Sequence, residues 1–212
     1  EGVDFLVMEY VAGTTLDRRL AGEPLSQTEA VDVALQIAEA LEQAHEQGVI
    51  HRDLKPGNVI LSHRSQAKVL DFGLAKLLKH GGESVSMESL SETQGMTGTL
   101  PYMAPEQLLP GKVDPRTDLY ALGALLYEMV TGRRPFRERN TIALANAILH
   151  QPPPPPRQIN PAIAPRLEAI ILKCLEKEPA RRYPTARLLA DELDRFLRDD
   201  PVIAAAAWTS PS

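Results

Sequence analysis

His51-Arg52-Asp53-Leu54-Lys55-Pro56-Gly57-Asn58 is the stretch on which the reading of this chain turns. It places an Asp, a Lys and an Asn within six positions, between a helix-like pattern and a short apolar run. Asp and Asn are common turn formers because their side chains hydrogen-bond nearby backbone. Alone, the stretch therefore reads equally well as a polar turn. Two later triplets shift the balance. Asp71-Phe72-Gly73 begins thirteen residues past Asn58, and Ala104-Pro105-Glu106 lies further on. Each triplet is weak by itself; their order behind an intact first octet is specific.

Around these triplets the pattern alternates between helix and strand. Phe5 to Val11 reads as a buried strand ended by Gly13, and Thr14 to Leu20 as a short helix. Ser26 and Glu29 form a capping-box pattern. Ala30, Val33, Ala34, Ile37, Ala38, Leu41 and Ala44 follow at helical spacing as one apolar stripe, stopped by Gly48. Val59 to Leu61 and Lys68 to Leu70 predict two short strands around a polar turn. That hairpin would carry Asn58 at its entrance and Asp71 at its exit. Asp114-Pro115 opens a largely apolar helix that Gly132 ends, with Pro115 expected at its first position. Thr141 to Leu149 predicts a short helix and Pro152 to Pro156 an extended connector. Helices are expected over Leu167 to Leu175 and Arg187 to Leu197, the last with Leu188, Leu189, Leu193, Phe196 and Leu197 on its apolar side. The Ala-rich stretch 198–212 reads as a linker.

Composition excludes several classes. A chain of 212 residues with 43% hydrophobic content supports one large domain, or one and a half small ones, with a packed core. A net charge of −5 gives no reason to expect a nucleic acid partner. The single cysteine, Cys174, excludes an internal disulfide and fits a reducing compartment such as the cytoplasm. It lies among Ile170, Ile171 and Leu175, as a buried structural thiol would. No apolar run has the length of a membrane span. The first residue is Glu1 rather than Met, so a piece of a longer protein is expected, with room for membrane anchoring outside it.

The octet and the two triplets resemble the signatures of eukaryotic-type Ser/Thr protein kinases, most closely the bacterial ones, from about Phe5 to Leu197. The resemblance implies an α+β fold: a mainly helical larger lobe with a small β-hairpin at the active site, over 1–197. It implies ATP and Mg²⁺ as cofactors and a protein bearing Ser or Thr as substrate. Asp53 would orient and accept the proton of the substrate hydroxyl, and Lys55 would stabilise charge on the transferring phosphoryl group. Asn58 and Asp71 offer hard oxygen ligands suited to Mg²⁺. Met8, Glu9, Val11 and Leu61 would surround the adenine, and Thr99 would bond the catalytic Asp and Lys.

By the same resemblance, residues 73–99 are an activation segment. Thr93, then Ser91 and Thr97, are its expected phosphorylation sites, and Arg52 is the cation that would receive a phosphate there. Glu106 is expected to pair with Arg182, and Asp118 to hold the backbone of the catalytic loop. One part of the family pattern is missing. No Gly-rich loop, strand lysine or paired helix glutamate precedes Phe5, so the smaller lobe of the same protein is an expected partner. Two functions from different classes stay open: a catalytic kinase, or a kinase-like binding module that transfers no phosphate.

Overall fold

The computed structural model describes residues 10–62, 66–72 and 98–204. The strand expected over Phe5 to Val11 lies almost wholly outside them. Helix α2 follows a short β1 (Thr14–Thr15) and α1 (Leu16–Leu20) and spans Gln27–Glu46. Its start is set by Ser26, whose Oγ accepts the Glu29 N–H at 3.2 Å. The reciprocal half of the capping box does not form. The Glu29 carboxylate turns to the Arg19 guanidinium instead, at 3.5 Å. The stripe from Ala30 to Leu41 is buried as its spacing predicts, and Gly48 just past the helix end has φ 70°.

The stretch Thr14 to Leu20 is not one helix, because its first two residues are drawn into a sheet. Thr14 and Thr15 pair antiparallel with Leu61 and Ile60 of β2 (Val59–Leu61). β2 in turn pairs with β3 (Ala67–Val69), with Val59 opposite Val69 and Leu61 opposite Ala67. Gly13 permits the approach: a Cβ there would lie 2.4 Å from the Leu61 carbonyl oxygen. Long-range pairing has overridden local propensity.

Helix α3 (Arg116–Thr131) is the centre of the core, buried around most of its girth. It starts one residue later than expected, with Pro115 as the residue before it. Asp114 still caps it: Oδ1 accepts the Arg116 N–H at 2.9 Å. Helix α4 (Thr141–His150) follows, capped by Asn140, whose Oδ1 accepts the N–H of Ile142 and Ala143. The proline run stays extended only through Pro155, since Pro156 opens α5 (Pro156–Ile159). Pro is well suited to the first helical position, having no N–H to leave unpaired.

Helix α6 (Pro165–Cys174) packs on α3, and α7 (Ala186–Leu197) runs along α2. Leu188 of α7 is 45% exposed and not part of the apolar side, whereas Leu189 and Leu193 are buried. Val202 and Ala204 are also buried in the main core. Glu192 accepts the N–H groups of Ile203 and Ala204, both at 2.9 Å, so packing continues past Leu197.

The α3–α6 contact depends on Gly123, where a Cβ would sit 2.4 Å from the Cys174 Cβ. Gly123→Ala is expected to destabilise the fold by about 1–3 kcal/mol through overpacking, despite the better helix propensity of Ala. Urea unfolding reads this directly, and an unchanged midpoint would refute the close contact. Burial pushes the Cys174 thiol up to about 12, so it stays protonated. Iodoacetamide should label it only after unfolding; rapid labelling of the native protein would contradict its burial.

Candidate active site

The hairpin brings the separated sequence signals together. Antiparallel pairing of β2 with β3 continues one step beyond the strands, where the Leu70 N–H donates to the Asn58 carbonyl at 2.8 Å. Asn58, entering β2, and Asp71, leaving β3, are thereby held at the same end of the hairpin. Asp71 has φ 62° and Arg52 has φ 66°. Non-glycine residues in this region cost roughly 1–3 kcal/mol each and persist only where surroundings hold them.

What holds Arg52 is visible. The carboxylate of Asp118, fully buried at the start of α3, accepts the N–H of His51 at 2.9 Å and of Arg52 at 2.8 Å. His45, from the end of α2, donates its Nε2–H to the same carboxylate at 2.8 Å. From the other side, Gln107 Nε2 donates to the Arg52 carbonyl at 2.8 Å. Gln107 Oε1 accepts the Ala104 N–H, so the strained residue is tied to the Ala104-Pro105-Glu106 triplet.

His51 is fully buried, and its partners define its protonation. Nδ1 accepts the Asp53 N–H at 3.2 Å and Nε2 faces the Leu70 carbonyl at 2.8 Å. The ring is therefore neutral with its proton on Nε2. It also meets Phe72 edge-on, with centroids 4.8 Å apart. Sequence reasoning assigned no role to His45, His51 or Gln107.

Above this platform the polar groups converge. Lys55 Nζ donates to Asp53 Oδ2 at 2.8 Å and to Thr99 Oγ1 at 2.9 Å. Asn58 Nδ2 donates to the Asp53 carbonyl at 2.8 Å and to Oδ2 at 3.2 Å. Asp53 Oδ1 is buried and without a hydrogen-bond partner among the described residues. One oxygen of Asp53 is thus committed to the network, and the other is left as an acceptor.

The donor set fits a hard cation: Asn58 spends its amide N–H groups on Asp53, which leaves its side-chain oxygen as a potential ligand, and Asp71 offers a carboxylate at the exit of the same hairpin. Among the described residues no cluster of three His, Cys, Asp or Glu could hold a metal by protein groups alone. A two-ligand site of this kind suits Mg²⁺, which retains waters and phosphate oxygens.

Not every expected residue joins this site. Val11 and Asp71 line one hollow of about 390 Å³ with Ala40, Lys68, Val69 and Leu70, but Leu61 lies on the neighbouring strand outside it. Met8, Glu9, Ser91, Thr93 and Thr97 lie outside the described residues. Glu106 and Arg182 form a two-pronged pair, both contacts at 2.7 Å.

A helical lobe with a three-stranded antiparallel edge, carrying these groups in this order, defines the class of phosphotransfer folds that the sequence resembled. Residues 3–193 match the model of the protein kinase domain, and the chain belongs to that family. A probable serine/threonine-protein kinase of Streptomyces coelicolor is 38% identical over 97% of this chain and 30% of its own length. The serine/threonine-protein kinase PknB of Mycobacterium tuberculosis is 36% identical over 97% of this chain and 32% of its own length. The chain thus spans about a third of the curated relatives it matches. Among the described residues, no helix is long and apolar enough to cross a membrane.

Proposed function

We propose that the intact protein is an ATP-dependent Ser/Thr protein kinase that moves the γ-phosphate of ATP to a Ser or Thr hydroxyl of another protein. The observation that carries this reading is the division of labour within Asp53. Oδ2 is fixed by Lys55 and Asn58, while Oδ1 is buried with no partner among the described residues. Oδ1 accepts the hydrogen of the incoming hydroxyl, aims its lone pair, and takes its proton as the new P–O bond forms. Lys55 orients Asp53 through the 2.8 Å contact and holds a positive charge where the phosphoryl oxygens gather. Thr99 fixes Lys55 from the substrate side. When bound, Mg·ATP would supply the phosphoryl group, with ADP as the leaving group and the cation offsetting the charge on its phosphates. Asn58 and Asp71 would hold that cation.

A smaller lobe of the same protein would close over the nucleotide, with Met8, Glu9, Val11 and Leu61 facing adenine. Phosphorylation would fall on Thr93, Ser91 or Thr97, and the domain would act on the cytoplasmic side. Residues 1–197 would be the catalytic portion of the chain.

The test uses the full-length protein, radiolabelled ATP with Mg²⁺, and myelin basic protein. Label should appear on phosphoserine or phosphothreonine and vanish with excess EDTA. Label confined to phosphotyrosine, or no transfer under any divalent cation, would sink the reading and favour a binding module.

A further inference from the structure

Gly132-Arg133-Arg134-Pro135-Phe136-Arg137-Glu138-Arg139 puts four arginines into seven positions of a chain whose net charge is −5. This turn leaves the end of α3 and forms one wall of a cleft of about 300 Å³. Pro101 also lines the cleft, and Phe136 and Leu144 add apolar surface. Pro101 is two residues beyond Thr99, whose Oγ1 is 2.9 Å from Lys55 Nζ. Two residues span at most roughly 7 Å, so the cleft opens beside the place where an acceptor hydroxyl must sit.

The charges in the cleft are unequal in availability. Glu128 is already engaged: Tyr102 OH donates to its Oε2 at 2.6 Å, and Arg134 lies 3.6 Å from its Oε1. Glu138 is half-buried, and its Oε2 has no hydrogen-bond partner among the described residues. Arg133 and Arg137 are exposed, and neither guanidinium has a hydrogen bond or ion pair to a described residue. Setting aside the Glu128–Arg134 pair, two open cations face one carboxylate.

Resting on the kinase reading above, we propose that this cleft is a specificity subsite for an anionic side chain of the protein substrate. It takes an Asp or Glu carboxylate, or a phosphate already on the substrate, through Arg133 and Arg137. Guanidinium groups suit both because their planar N–H pairs match two oxygens at once. An extended peptide advances about 3.3 Å per residue, so the anion falls a few positions from the acceptor. Glu138 weakens the site and sets a limit on its preference.

The experiment compares kcat/KM of the full-length protein on peptides around one Thr. Asp, phosphoserine, Ala or Arg is placed at each position up to four residues to either side. At one position, Asp should be preferred over Ala by roughly tenfold at low salt, and less at high salt. Preference for phosphoserine alone assigns the site to phosphate; preference for both assigns it to either anion. In the double variant Arg133→Ala/Arg137→Ala the Asp-to-Ala ratio should fall to about one, with the Ala peptide turned over as before. Glu138→Gln should raise the ratio. A ratio unchanged in the double variant, or a wild-type preference for Arg, overturns the subsite. If no peptide is phosphorylated, the kinase reading fails separately. Fluorescence anisotropy then decides the cleft: tighter binding of the Asp peptide, lost in the double variant, supports it, and equal binding refutes it.

Discussion

Replacing Asp53 with Asn is expected to lower kcat of the full-length protein by about 10²–10⁴-fold, the usual contribution of a positioned general base. Asn58 would still donate to the backbone carbonyl of residue 53, a bond made at 2.8 Å that does not involve the side chain. The loop should therefore keep its shape. What disappears is the basic oxygen facing the acceptor and the anion beside Lys55, which now lies 2.8 Å away. A loss confined to the chemical step lowers kcat and kcat/KM together and leaves nucleotide affinity largely unchanged. The check is a steady-state comparison at saturating Mg·ATP, with urea unfolding as the control for folding. A fall of less than about tenfold in a stably folded variant would remove Asp53 from the role of base.

That prediction rests on residues legible in the sequence. Asp53, Asn58 and Asp71 were legible because they stand in an octet and a triplet that resemble a known family, and because two short apolar runs mark the hairpin that carries the last two. Periodicity likewise marked the buried stripe of α2, since its burial follows from a 3.6-residue repeat. The supports of the site were less legible. His45 and His51 meet Asp118 across 73 and 67 residues of sequence, and nothing local to either histidine announces that partner. Gln107 reaches Arg52 across 55 residues, and its own neighbourhood reads as an ordinary helical turn. Asp118 was legible only through the family resemblance, because by itself a carboxylate in the first turn reads as a favourable charge at a helix N-terminus.

Two of the errors come from tertiary competition for groups that have local options. Thr14 and Thr15 leave a helical pattern because β2 offers an unpaired edge. Glu29 leaves its capping box because Arg19 offers a charge. Leu188 falls on the solvent side although its residue type suits the core, and periodicity over twelve residues does not place the boundary of an apolar face to one position. Val202 and Ala204 lie in a low-complexity stretch with no period at all. Their burial depends on Glu192 accepting the two N–H groups that begin at Ile203.

Arg182 carries the largest expected effect on stability. Its side chain is fully buried, and all five N–H donors are used. Nε donates to the Glu176 carbonyl, Nη1 to Glu106 Oε1 and the Arg116 carbonyl, and Nη2 to Glu106 Oε2 and the Lys177 carbonyl. Its guanidinium also lies 4.9 Å from the centre of the Tyr120 ring. Arg182→Met should destabilise the protein by about 3–5 kcal/mol, because it strands the Glu106 carboxylate and several carbonyls. Thr117 Oγ1, which donates to Glu106 at 2.8 Å, is too little compensation. Arg182→Lys keeps the charge but has three donors in a different geometry, and more than half of that loss should remain. Glu106→Leu combined with Arg182→Met should recover part of it, since burying two apolar groups avoids the desolvation of both ions. Urea unfolding of the four proteins separates charge from shape. If the Lys variant matches the wild type, a point charge suffices and the five-donor geometry is incidental. If it behaves like Met, the planar arrangement is what holds the Ala104-Pro105-Glu106 triplet in place, and through Gln107 the backbone of Arg52. Destabilisation should then be accompanied by lost phosphotransfer well below the unfolding midpoint, because the strained loop loses one of its two supports before the core melts.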